Sequence, residues 1–574
     1  MHSMPSDLLQ TNTVERRERF KKMKRKIVKY TLLSVALVAI VAGGIFATRN
    51  DFGLGRNMEI MVNLMHAIST KYVEKVDADE MMKNGAKGIT SKLDPYTDFI
   101  SEEEMPDFEA MTTGRYGGIG ALIRKKGDYV IIAEPYKGSP ADECGLKIGD
   151  KIVAINGEDM GGKEVGDISK RLRGEPNTTV KVTIERLMTG EREEIKIRRR
   201  RIVIPSITYA GYVAEGVGYI RHADFTDKCY DDMRAAILHL QSEGELKSLI
   251  LDYRNNGGGV LQSAVNVLSL FVPKGTMVVE TRGRGDKSHK LYTEYEPLLP
   301  DTPLAVLING NSASAAEIVA GAIQDLDRGV LIGQRSFGKG LVQGTAPLGY
   351  NAYAKITVGK YYIPSGRCIQ AVNYSKDGRA EVVADSLIKE FSTKRGRKVY
   401  DGGGIMPDKK IAPKYISSFA VTLYLMGIIE DFGDDYIKRN GSKPIDVKNF
   451  SITDEDYADF VKMVEGRDIP YKSESRTALE KLRKSLAKER NTSLEEALNA
   501  IDKGLRDDKL SNLKTFRKEI VEQINQNIVL RYAYAAGVIA NSLRDDEEVQ
   551  EARKILADRA EYERITTKQN TQRK

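Results

Sequence analysis

A chain of 574 residues is too long for one hydrophobic core and points to three or four folding units. Its 41% apolar and 30% charged residues are ordinary for a folded protein with a water-facing surface. Much of the formal charge of +8 sits in one run, Arg16, Arg17, Arg19, Lys21, Lys22, Lys24, Arg25, Lys26 and Lys29, and the remainder is close to neutral, so no basic groove for nucleic acid is indicated.

That basic run, residues 1–29, precedes an uncharged stretch, Tyr30 to Ala47. As a helix at ~1.5 Å per residue the stretch spans about 27 Å, enough for a bilayer's hydrocarbon core. Positive charge stays cytoplasmic. Residues 30–47 therefore read as a single-pass signal anchor in the inner (cytoplasmic) membrane, with everything after Asn50 on the periplasmic or extracytoplasmic side. A cleaved signal peptide fits less well, because Gly-Ile-Phe-Ala-Thr-Arg offers no clear small-x-small site.

Residues 54–112 read as a helical region. Ile60, Leu64, Ala67, Ile68 and Tyr72 recur on one helical face between Asn57 and Thr90, and Asp94-Pro95 stops the pattern. Ser101 then opens an acidic first turn, Glu102-Glu103-Glu104. Residues 113–200 change to short strands, 130–133, 151–155 and 180–184, with a tight Asn156-Gly157 turn and a short helix from Val165 to Arg173.

Between residues 201 and 415, continuous apolar strands at 248–252 and 304–308 alternate with helices, as in a sheet covered on both faces. The remainder, 416–574, is mostly helical and carries no recognisable chemistry. A solvated helical support is expected there, with homo-oligomerisation left open.

Three stretches of the α/β region carry chemistry. Asn309 to Glu317 is a strand-to-helix turn crowded with small residues, where Ser312 or Ser314 could act as nucleophile or both could cap the helix. Lys339 lies between Gly338 and Gly340 after the strand 330–333. Held close to a neighbouring loop, its amine would lose solvent and could accept a serine proton, with the Gln343 oxygen orienting it. Asp252 to Gly259 ends in a glycine run whose N–H groups are unobstructed. Gly333 to Lys339 also fits the first seven positions of a phosphate-binding loop, but Gly340 stands where a magnesium-binding Ser or Thr is needed. Cys144, Cys229 and Cys368 are too few and scattered for a disulfide framework or zinc site, and the five histidines form no ligand spacing.

From Asn57 to Pro413 these motifs resemble the C-terminal processing, or tail-specific, serine peptidases. The resemblance rests on Leu93-Asp94-Pro95, Gly117-Gly118-Ile119-Gly120, Gly138-Ser139-Pro140-Ala141, Ser312-Ala313-Ser314-Ala315-Ala316-Glu317, Phe337-Gly338-Lys339-Gly340 with Gln343, and 400–408. It implies an α/β, ClpP/crotonase-like protease core at 201–415 behind a PDZ domain at 113–200. It implies Ser314 as nucleophile, Lys339 as general base, Gln343 as its support, and an oxyanion hole from the N–H groups of Gly258 and Ala315, with no metal or organic cofactor. Where the family usually has Asn-Pro-Gly-Gly, this chain has Asn256-Gly257-Gly258-Gly259. A PDZ domain implies capture of accessible C-termini of protein or peptide substrates by Gly117, Gly118, Ile119 and Gly120. The adjoining pocket is expected from Ile119, Leu122, Ile168 and Leu172.

Overall fold

The structure, a computed structural model, describes residues 49–567 apart from 286, 375–379, 442 and 506–508. The basic run and the apolar stretch 30–47 lie outside the described residues. No helix among the described residues is long and apolar enough to cross a membrane.

The chain divides into two units, 1–89 and 90–574. The described part of the first is helical, but the expected single periodic helix is two, Arg49–Lys71 and Ala78–Thr90. Asp77 makes the break: its Oδ1 accepts from the N–H groups of Asp79 and Glu80, satisfying orphan donors that start a new helix. The apolar stripe on the first of these helices stays exposed at Ile60 and Leu64.

The second unit opens with a strand at Asp98–Ile100 and a helix at Met105–Thr113. The PDZ sheet follows, with the strands Ala121–Lys126, Tyr129–Pro135, Lys151–Ile155, Thr179–Glu185 and Arg192–Arg198 adjacent in that order and antiparallel. Alternate residues of these strands, among them Val130, Ile132, Ile152, Val180, Val182 and Ile184, fill its core. The Ala121–Lys126 strand lies at the sheet's edge.

The protease core is a six-stranded sheet: β1 (Ile207–Ala214), β2 (Val217–His222), β3 (Ser248–Asp252), β4 (Leu304–Ile308), β5 (Val330–Gly333) and β6 (Lys409–Lys410). Spatial order equals chain order, and every pair but β1–β2 is parallel. Right-handed crossovers that always step the same way put their helices on one face. The helices α1 (Cys229–Glu243), α2 (Leu261–Leu268) and α3 (Ala315–Asp325) indeed share one core with that face. Yet β3, β4 and β5 are buried along their whole length, so the opposite face needs its own cover. The C-terminal region supplies it: Val549, Ala552 and Ile555 of α4 (Glu547–Ala557) pack on Tyr219, Ile250, Ala305, Leu307 and Ile332. The tail therefore completes the sheet sandwich, where the sequence suggested only a solvated support.

A second, antiparallel sheet joins the strands Asp98–Ile100, Met277–Gly283, Ser288–Tyr292, Leu341–Gly349 and Ala352–Tyr362. It walls the cleft described next.

Candidate active site

Three loops at the C-terminal ends of β3, β4 and β5 converge, as expected for a parallel sheet. The loop after β4 separates the two candidate serines. Ser312 is fully buried; its Oγ donates to the Tyr253 carbonyl at 2.8 Å and accepts from Asn309 N at 2.9 Å. It braces the turn. Ser314 sits at φ 56°, ψ −116°, a strained backbone for a residue with a side chain, immediately before α3. It lines a cleft of about 670 Å³ together with Gly258, Ala315, Lys339, Gln343 and Tyr361. A serine on such a strand-to-helix turn presents its hydroxyl outward, with the first N–H groups of the helix beside it.

The loop after β3 is tied to that turn. Ala313 N donates to the Asn256 carbonyl at 2.9 Å, and Asn255 Oδ1 accepts from the side-chain amides of Asn309 and Asn311. Gly258 lies so close that a Cβ would meet Ala313 O and Ser314 Cβ at 2.7 Å and Ala315 N at 2.8 Å, and its φ is +99°. Only glycine fits there. The two expected oxyanion donors differ. Among the described residues Ala315 N–H has no protein partner, whereas Gly258 N–H is already donated to Asn256 Oδ1 at 2.8 Å. In this structure Gly258 is therefore a close-packed neighbour of Ser314 rather than an open donor.

The loop after β5 carries Lys339, which is half-buried and lines the same cleft. Burial, and then the nearby positive charge of Lys355, lower its pKa from the ordinary lysine value, with Glu317 and Asp94 opposing. Its Nζ lies 4.4 Å from the centroid of the Tyr96 ring. No hydrogen bond joins it to Ser314 or Gln343 among the described residues. The expected Gln343 contact is absent because Gln343 pairs in register with Thr357 across the antiparallel strands and donates to its hydroxyl at 3.3 Å. Thr357 Oγ1 passes the chain on to Asp94 at 3.1 Å.

Two residues that hold the loops together escaped the sequence reading of roles. Glu317, fully buried, accepts from Ser314 N, Ser336 Oγ, Gly338 N and Lys339 N, so one carboxylate binds the serine turn to the lysine loop. Burial pushes its pKa up to about 7 against those four donors. Its signal was the Ser-x-x-Glu spacing, which also describes a simple capping box. Tyr361, also fully buried, sets its hydroxyl between the carbonyl oxygens of Ser314 and Lys339. Nothing in the local pattern of its strand marked it. The histidine behind the glycine loop, His222, is sealed in; burial drives its pKa down to about 3, and its Nε2 lies 2.9 Å from the Asp224 carbonyl. It is not among the residues lining the cleft.

A strained serine, an amine whose charge is disfavoured and a free N–H at a helix start are the parts of acyl transfer. Residues 216–378 match the model of peptidase family S41, residues 131–186 that of a PDZ domain, and residues 419–556 one described as the C-terminal helical domain of a probable PDZ-protease. A carboxy-terminal-processing protease of Bartonella bacilliformis is 33% identical over 362 residues, which cover 62% of this chain and 82% of the relative. The chain belongs to peptidase family S41. It is a serine protease of the carboxy-terminal-processing kind. A probable CtpA-like serine protease of Staphylococcus aureus (strain COL) is 32% identical over 355 residues, covering 60% of this chain and 70% of that one. Among solved structures, the photosystem II D1 C-terminal processing protease is 25% identical, with 62% of this chain and 87% of that chain covered at a TM-score of 0.33.

In this S41 peptidase the PDZ glycines and the short helix Val165–Leu172 meet, because Gly174 N donates to the Gly117 carbonyl at 3.1 Å. A Cβ on Gly117 would lie 2.2 Å from Gly174 O. Gly118 ends the short strand Arg115–Gly118, and Gly120, at φ +78°, carries the turn into the edge strand. The expected pocket lining is mostly not open. Ile119, Ile168 and Leu172 are buried in the PDZ core, since the helix needs its i, i+4 apolar pair to hold onto the sheet, and of the four only Leu122, at 48%, is exposed.

Proposed function

We propose that this S41 peptidase cuts loosely folded extracytoplasmic proteins, with Ser314 as nucleophile and Lys339 as general base. The observation that carries the reading is the shared cleft: a serine held at positive φ, and the half-buried amine of Lys339, whose charge is disfavoured there. The Lys339 side chain leaves the Tyr96 ring and its neutral amine takes the Ser314 proton as Oγ attacks the peptide carbonyl. Gln343 accepts a hydrogen bond from the amine in that position. The Ala315 N–H stabilises the oxyanion, joined by the Gly258 N–H once that group alone turns from Asn256 Oδ1, with the Gly258 Cα still packed against Ser314. Collapse breaks the C–N bond, the lysine returns its proton to the leaving amine, and water hydrolyses the acyl-enzyme.

Substrates are captured by their C-termini. An extended peptide adds to the open edge strand Ala121–Lys126 while its carboxylate meets the N–H groups of the Gly117–Gly120 turn. Residues 30–47 hold the enzyme in the bilayer with its catalytic part outside the cytoplasm; a reporter fused after Asn50 is expected to be active only on that side.

The test of the reaction is digestion of one long unfolded protein, supplied with a free or an amidated C-terminus, by wild type and Ser314→Ala. Wild type should cut the free-acid form faster, and the variant neither. Equal rates on both forms would remove tail capture, and turnover by Ser314→Ala would remove the nucleophile.

A further inference from the structure

The loops after β3 and β5 share a partner from the far end of the chain. Arg254 directly precedes the Asn255–Gly259 loop. Its guanidinium is only 11% exposed and needs full pairing. Part of that pairing is local, to Asp252 at 2.9 and 2.6 Å. The rest comes from α4: Asp546, its N-cap, at 2.8 Å, and Glu548 in its first turn. Glu548 has a second contact. Its other oxygen accepts from Gln334 Nε2 at 2.7 Å, and Gln334 opens the loop that leads to Ser336 and Lys339. Asp546 and Glu548 are themselves largely buried, at 15% and 16% exposure. One helix start thus grips the glycine loop beside Ser314 with one hand and the lysine loop with the other, from the face of the sheet opposite α3.

We propose that Asp546 and Glu548 are positioning residues for peptide hydrolysis, fixing the glycine loop through Arg254 and the lysine loop through Gln334, so that the C-terminal helical region completes its own chain's active site. Neither touches substrate. They act by register: Lys339 must reach Ser314, and Gly258 must stay packed against it, within tolerances where a shift of about 1 Å costs roughly a hundredfold in rate. The inference rests on the Ser314–Lys339 reading.

The test is a double-mutant cycle in the full chain, Gln334→Ala, Glu548→Ala and both, on one unfolded protein substrate, with kcat, KM and melting temperature measured. Each single change should lower kcat by about tenfold or more and leave KM within about twofold. The double variant should match Glu548→Ala, because the second change cuts a tie already lost. A kcat per folded molecule within about twofold of wild type in both singles, a change confined to KM, or independent additive losses would each overturn the proposal. If Glu548→Ala does not fold, Gln334→Ala alone decides. Gln334 lies outside the helix, and among the described residues its side chain otherwise donates to the Ile411 carbonyl alone, so a tenfold loss of kcat supports the tie and wild-type kcat removes it. Ser314→Ala and Lys339→Ala in the same assay keep the two ideas apart. Turnover by either defeats the Ser314–Lys339 reading. Their inactivity beside unimpaired Gln334→Ala and Glu548→Ala defeats only the role given to α4.

Discussion

At the residue scale, chemistry follows from which side chains are left uncommitted. Ser312 and Ser314 are two positions apart and indistinguishable by composition. The fold spends the first on bracing Tyr253 and Asn309 and leaves the second at the cleft. Sequence could nominate the pair and, through the family motif, prefer Ser314. It could not see Glu317's four donors, which come from residues 314, 336, 338 and 339 and meet only in three dimensions. The pH profile should report both titrating groups. Lys339 works as a base only when neutral, so the rate rises with pH towards its lowered pKa. Glu317 can accept four hydrogen bonds only when ionised, and below its pKa of about 7 the added proton must displace a donor. Log(kcat/KM) should therefore climb with pH as Lys339 loses its proton, and more steeply where Glu317 also titrates, near pH 7. A rate that does not rise with pH would contradict the role of Lys339, and a profile with no steeper limb near pH 7 that of Glu317.

At the element scale, most boundaries were legible because the local signals were strong. The strands 248–252, 304–308 and 330–333 fall where continuous apolar runs predicted them, and Asn156-Gly157 makes its tight turn with both residues at positive φ. The failures have physical causes. Asp77 capped a second helix within an apparently unbroken period. The PDZ helix uses Ile168 and Leu172 to hold onto its sheet, so both are buried. The glycine loop gives the sharpest test at this scale. Gly258→Ala combines an unfavourable φ with three contacts under 3 Å, two of them to backbone atoms. Strain of about 1–3 kcal/mol would push the loop off Ser314. Activity should fall at least about a hundredfold while the melting temperature drops only a few degrees. Gly257→Ala, with nothing within 4 Å of its Cβ and an ordinary φ, should be much milder. Equal effects of the two would contradict the close-packing role.

At the scale of the whole molecule, the sheet's one-directional strand order is the organising fact. It crowds α1, α2 and α3 onto one face and obliges some later segment to cover the other. The fully apolar strands announced that both faces are buried, but no local signal in a charged helical tail said that α4 would do the covering. The same tail reaches the PDZ domain, where Lys126 pairs with Asp434 at 2.9 Å and Asp431 at 3.1 Å, and Glu134 accepts from Ala535 N at 3.0 Å. Ending the chain before Asp546 should expose Ile250, Leu307 and Ile332 and remove the Val549 and Ile555 contacts, a loss on the order of 5 kcal/mol. The shortened protein should aggregate or melt well below the full chain; a melting temperature within about 2 °C would show that α4 is not a structural layer.

The most direct measurement is the site and rate of covalent labelling by a fluorophosphonate, mapped by peptide mass spectrometry in wild type, Ser312→Ala and Lys339→Ala. The expected result is a single adduct on Ser314, forming faster as pH rises, retained in Ser312→Ala and slowed at least about a hundredfold in Lys339→Ala. An adduct on Ser312, or labelling of Lys339→Ala at the wild-type rate, would contradict the assignment of Ser314 as nucleophile and Lys339 as its base.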